Sequence, residues 1–438
     1  MSRLENFRHP GLSLWQSAVD EVSAKRAGAA RAEAVGGPAV IQRPDSADQM
    51  VRGAAIDLSA ENAGQPLQAA SAMTGTASDG GAVSCAEYCS KVARDLAAAT
   101  IKGDAAEIAA CKEQFTKFGQ CDPGWLEVVG KYAEFQWEKQ QVPYRTTPDP
   151  DRYVIDGKLP DNATVAIVGD WGTGQDAAKK VLAQIARKNP DVVIHLGDIY
   201  YSCTDFETQN YFLNIWKQYF DITKVPSFTL AGNHDMFAGG GPYYRLIDQL
   251  GQPASYFTLR NQNWQFVAID TGLHDRTPRG SAPTFLEDTE VAWVKQRVAT
   301  AAGRKTILLS HHQLFTRYED IADCPGGMAV NQVLNGQIGG ILPQIAIWLW
   351  GHEHDFVVYK KQLGVLACCI GHGAFPVEAT PAKQVKHPEI AAEDITLDND
   401  GEFYAHGYSI VQLDGPNATI SHYQDTNEGQ PLRGPDSL

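Results

Sequence analysis

The chain has 438 residues, with Lys+Arg 37 against Asp+Glu 52 and a formal net charge of -15. That length accommodates one large α/β domain of roughly 250 to 300 residues plus a smaller unit; the acidic balance disfavours general binding to a nucleic-acid backbone, so a phosphate ligand has to be attracted locally, by bound cations. No stretch approaches the ~18 consecutive apolar residues of a membrane span, and Arg3, Glu5, Arg8, Asp20, Glu21, Lys25 and Arg26 interrupt the opening segment, which leaves no h-region of a secretory signal and favours a cytoplasmic location, with export by another route left open.

Residues 1–83 are rich in Ala, Gly and Ser without a sustained period, and read as a poorly ordered or only locally helical tail. A helical segment follows over 84–141. KVARDLAAATIKG, DAAEIAACKEQFTKFG and WLEVVGKYAEFQWEKQ predict three helices, broken at Gly103 and at Asp122, Pro123 and Gly124. Cys85, Cys89, Cys111 and Cys121 fit a disulfide-tied hairpin or a soft-metal site, although buried free thiols are the favoured reading. The four prolines of QVPYRTTPDPDRYVIDGKLPDNAT place a linker at 142–162.

From 163 to 425 strands and helices alternate. QDAAKKVLAQIARKN sets Ala177, Val181, Leu182 and Ile185 on one helical face, and EDTEVAWVKQRVATA does the same with Val291, Val294 and Val298. Beyond Trp350 come strands without helices: FVVYK, GVLACCIG, YSIVQL and ATISHY. This order predicts an α/β fold in which a two-sheet β-sandwich is flanked by helices. Residues 426–438 read as a C-terminal tail.

Five short apolar runs, at 164–168, 192–196, 227–231, 306–310 and 345–350, are each followed by residues that hard or borderline metals bind. These are Asp170; Asp198; Asn233 with His234; His311 with His312; and His352 with His354. Open α/β sheets place their ligands at the carboxyl ends of buried strands, where these residues fall. Carboxylates, an amide oxygen and imidazoles suit Fe, Mn or Zn better than a thiolate-bound soft metal. Two such ions about 3.5 to 4 Å apart can clamp a phosphoryl group, and Asp198 is the candidate bridging carboxylate.

The strings GDWG, GDIYY, GNHD, LLSH and GHEH resemble, in order, the five blocks of calcineurin-like metallophosphoesterases. The pattern is similar to the purple acid phosphatases, most of all the small tartrate-resistant type, because Tyr201 stands three residues after Asp198. The resemblance implies a four-layer α/β/β/α fold with an N-terminal helical segment added here. It also implies that Asp170, Asp198, Tyr201 and His354 hold a first metal, Fe(III), and that Asp198, Asn233, His311 and His352 hold a second, Fe, Zn or Mn. His234 would be the catalytic general acid, with Asp235 as a candidate orienting partner. The implied reaction is hydrolysis of phosphomonoesters by metal-bound hydroxide, on a small phosphate ester or a phosphoprotein. Two alternatives stay open: a phosphodiesterase of the same superfamily, and a phosphatase domain targeted by a protein partner docked on 84–141. The family's extra phosphate-gripping histidine after the fourth block is missing from QLFTRYEDIADCPGG, where Arg317 is a candidate replacement. His312 and His372 are candidates for supporting roles.

Overall fold

The computed structural model describes residues 10–34, 95–96, 98–99, 104–110, 130–135, 143–275, 283–321, 327–380, 384–427 and 429–438. The chain divides into two compact units, Met1–Gln140 and Gln141–Leu438. Within the first, helix α1 spans Pro10–Ala34, inside the stretch expected to be a poorly ordered or only locally helical tail. Its buried Leu14, Trp15, Ala18 and Val22 recur at helical spacing, and Trp15 meets Tyr132 edge-on at 5.4 Å. Residues 95–96, 98–99, 105–110 and 130–135 are also helical. The four cysteines ahead of the main domain lie outside the described residues.

The second unit contains two mixed β-sheets flanked by helices. Strands β1 (Val154–Ile155), β5 (Phe257–Arg260), β6 (Trp264–Ala268), β7 (Lys305–Leu309), β8 (Ile345–Trp350), β10 (Val365–Ile370) and β9 (Phe356–Gln362) form one sheet in that spatial order. The other runs β13 (Arg433–Ser437), β12 (Asn417–Gln424), β11 (Gly407–Asp414), β2 (Asn162–Val168), β3 (Val192–His195), β4 (Ser227–Thr229). The parallel sets β2-β3-β4 and β6-β7-β8 are buried on both faces, which is why they read as continuous apolar runs. In β2 the alternation is visible: Ala163, Val165 and Ile167 enter one core cluster, whereas Ala166 and Val168 meet Val181, Leu182 and Ile185 of helix α2, Asp176–Arg187. That helix buries Ala178, not Ala177, one position from the expected face. Helix α3 spans Gly241–Leu250 and helix α4 Asp288–Ala299, the latter burying Trp293, Val294 and Val298.

Two expected boundaries differ. Residues 143–162 are not a free linker: the Tyr144 hydroxyl donates to Glu290 Oε2 at 2.7 Å, Arg145 reaches Asp248 at 2.8 Å, and Val154 and Ile155 pair with Thr258 and Leu259. Proline favours extended backbone, and extended backbone packs along a surface as readily as it spans a gap. The expected C-terminal tail likewise supplies β13, an edge strand where Pro435, lacking an N–H, is tolerated. Among the described residues no helix is long and apolar enough to cross a membrane.

Candidate metal centre

The parallel strands deliver the motif residues to one place because each run stops at the same edge and turns sharply. Asp170, Asp198, His352 and His354 all take left-handed backbone conformations, with φ of 54, 71, 68 and 51°. Such positions cost of order 1–3 kcal/mol each and persist where the surrounding structure over-determines them, typically at functional sites. Glycines let the turns close: a Cβ on Gly232 would collide with the Asp198 carboxylate, and one on Gly351 with that of Asp170.

Two sets of donors share Asp198. In the first, the Tyr200 hydroxyl donates to Asp170 Oδ1 at 2.9 Å and lies 3.3 Å from Asp198 Oδ2 and 2.9 Å from His354 Nε2. In the second, His311 Nε2 lies 3.3 Å from Asp198 Oδ2 and 3.2 Å from Asn233 Oδ1, and His352 Nδ1 lies 3.2 Å from the same amide oxygen. Ligand atoms of Asp170, Asp198 and His311 all fall within 4.8 Å of one another. Mixed carboxylate, amide, phenol and imidazole donors, nearly all buried, fit a pair of borderline or hard cations.

The sequence reading needs one correction within these sets. It is Tyr200, not the expected Tyr201, whose hydroxyl bonds to Asp170, Asp198 and His354. Tyr201 meets the site through its backbone: its N–H donates to Glu207, which also accepts from the N–H groups of Ser202 and Thr204, and its carbonyl accepts from His234 Nδ1 at 2.6 Å. The two tyrosines sit in a turn, and with the Tyr201 amide and carbonyl fixed this way, it is the Tyr200 hydroxyl that reaches the donors. GDIYY contains both tyrosines, so the string alone could not rank them.

Electrostatics tie the sets together. Burial opposes the charge on Asp198, but His311, His234 and His354 around it hold its carboxyl well below the usual range. Burial alone would lower His311; the charges of Asp198 and Asp170 outweigh it and push the imidazole up to about 9. A cation binding there has to displace that proton, so affinity should depend on pH. His234 is held below its ordinary value by burial, with Asp198 opposing. Its ring packs between Tyr200 and Phe237, at 4.6 and 4.7 Å, and its Nε2 stands 4.0 Å from Asp198 Oδ2.

The remaining candidates separate clearly. Asp235 does not orient His234; it accepts from the N–H groups of Gly232, Asp198 and Ile199, bracing two ligand loops, and burial pushes its carboxyl up to about 7. His312 lies beside the second set, its ring 4.3 Å from that of His352, bonded to Thr271 and Asp275. His372 packs on Phe356. Arg317 donates to the carbonyls of Pro388 and Ile390.

A calcineurin-like phosphoesterase family model matches residues 163–356. The 3',5'-cyclic adenosine monophosphate phosphodiesterase CpdA of Pseudomonas aeruginosa is 26% identical over 278 residues, covering 62% of this chain and 89% of its own. Tartrate-resistant acid phosphatase type 5 of Homo sapiens is 23% identical over 306 residues, covering 61% and 90%. Among solved structures, a dimetal phosphatase from Danio rerio aligns over 60% of this chain and 96% of its own, with 12% identity and a TM-score of 0.41.

Proposed function

We propose that this phosphoric ester hydrolase, whose residues 163–356 match the calcineurin-like phosphoesterase family model, hydrolyses phosphomonoesters with two bound cations. The observation that carries this reading is the position of Asp198, whose carboxylate faces both donor sets. Asp170, Tyr200 and His354 complete the first set, proposed for Fe(III), and Asn233, His311 and His352 the second, proposed for Fe, Zn or Mn. Bound there, the cations would polarise the phosphoryl oxygens and acidify a water for in-line attack. The protein supplies the proton for the leaving group. The Tyr201 carbonyl can only accept, so His234 Nδ1 carries a proton and Nε2 is the nitrogen left facing Asp198. To donate from Nε2 the imidazole has to be cationic, a form that burial disfavours on balance and that the Asp198 charge favours.

A phosphodiesterase is the second reading, favoured by the likeness to the cyclic-nucleotide enzyme. The two share every residue named above. Assay of 4-nitrophenyl phosphate beside bis(4-nitrophenyl) phosphate, with metal analysis of the same preparation, separates them: a kcat/KM higher for the monoester supports the first reading, and a diester preference overturns it.

A further inference from the structure

The residue between the two histidines of GHEH is a buried glutamate. Glu353 is 6% exposed, and its carboxylate is ringed by donors from three parts of the chain. Thr316 Oγ1 donates to Oε1; Trp350 Nε1, at the end of β8, and Tyr359 Oη, in β9, donate to Oε2, both at 3.2 Å. Thr316 Oγ1 itself accepts from the N–H groups of Tyr318 and Glu319, at 3.2 and 3.1 Å. Burying a carboxylate is unfavourable without such partners, so the arrangement calls for a cause.

The cause lies on either side of it. His352 and His354 both have left-handed backbones, so the loop alternates strained, anchored, strained. Without a fixed point between them, the two histidines could relax to ordinary backbone and turn away from their partners. We propose that Glu353 is that fixed point: a positioning residue that aims His352 at Asn233 and His354 at Tyr200, and so sets cation affinity at both donor sets together. Through Thr316 it also ties the loop after His311 to the metal-binding loop. The inference rests on reading His352 and His354 as metal ligands.

Mn²⁺ titration of the full chain, by calorimetry after removal of metals with a chelator, tests both statements separately. Wild type should take up two Mn²⁺; if it takes none, the ligand reading fails. Glu353→Gln should weaken both sites by roughly 10- to 100-fold, the usual effect of a lost orienting partner, and Thr316→Val should act in the same direction with a smaller effect. A merely structural role would lower the melting temperature of chelated and loaded protein alike and leave Kd unchanged. Wild-type affinity in a folded Glu353→Gln protein overturns the proposal; if that variant does not fold, wild-type affinity in Thr316→Val does so.

Discussion

The Tyr200 hydroxyl donates to Asp170 Oδ1 at 2.9 Å, joining a loop after β3 to one after β2 inside the first donor set. A phenolate on ferric iron absorbs visible light, and a bound cation lowers a phenol's pKa as it does that of any acidic ligand. With Fe(III) in that set, the oxidised protein should be coloured. Tyr200→Phe should bleach the band and reduce iron per chain, whereas Tyr201→Phe should keep the colour. An absorption spectrum of the three iron-loaded proteins decides it; bleaching by Tyr201→Phe alone would restore the assignment made from the sequence.

Asp198→Asn removes the carboxylate that faces both sets. A neutral amide leaves two cations without shared charge compensation, a loss of several kcal/mol, so kcat/KM should fall by at least roughly 10³-fold. Near-normal turnover with two metals retained would contradict the shared-ligand role.

His234→Ala should leave metal content intact and slow hydrolysis of alkyl phosphates by roughly 10² to 10⁴, the range for a positioned acid. Activated aryl phosphates, whose leaving groups need less protonation, should be slowed much less. An equal loss on both would argue against proton donation by His234.

Acid should destabilise the catalytic unit through buried histidines outside the two donor sets. Burial holds His372 and His422 down to about 3 against an ordinary 6.5, His372 further lowered by His406 and His422 by His372. A folded-state pKa below the unfolded one means the unfolded chain binds more protons between those values. Stability is therefore fully present above pH 6.5 and falls as pH drops toward 3. Between pH 6.5 and 5 each histidine should remove about 2 kcal/mol. Denaturant unfolding at pH 7 and pH 5, with metals chelated, should show that drop, and His422→Gln, able to keep a hydrogen bond to Ser409, should reduce it. A pH-independent midpoint in wild type would exclude the mechanism.

Strand runs and the residues ending them were legible because a strand buried on both faces has to be apolar and its ligands have to follow it. Asp170, Asp198, Asn233, His311, His352 and His354 converge as their order implied. The tyrosine was not legible: Tyr200 and Tyr201 are chemically identical neighbours, and Glu207 and His234, which fix the backbone between them, act through contacts no periodicity encodes. The Val154–Ile155 strand and the 433–437 edge were hidden for a related reason. Prolines that mark a break in regular structure also suit an edge, as at Pro435, and the partners of Val154 and Ile155, Thr258 and Leu259, lie too far along the chain to leave a local signal. Glu353 was overlooked because a charged residue between two histidines reads as solvated until its donors are seen.

The left-handed backbone at Asp170, Asp198, His352 and His354 also sets a limit on how this protein can be improved. These four are among the left-handed, non-glycine positions where glycine would relieve strain, so a selection for heat resistance alone should sample them. Each such gain would remove a donor from the centre. Thermal tolerance and hydrolysis are thus opposed at four known points of the chain, and a variant library scored for both should fall along that line.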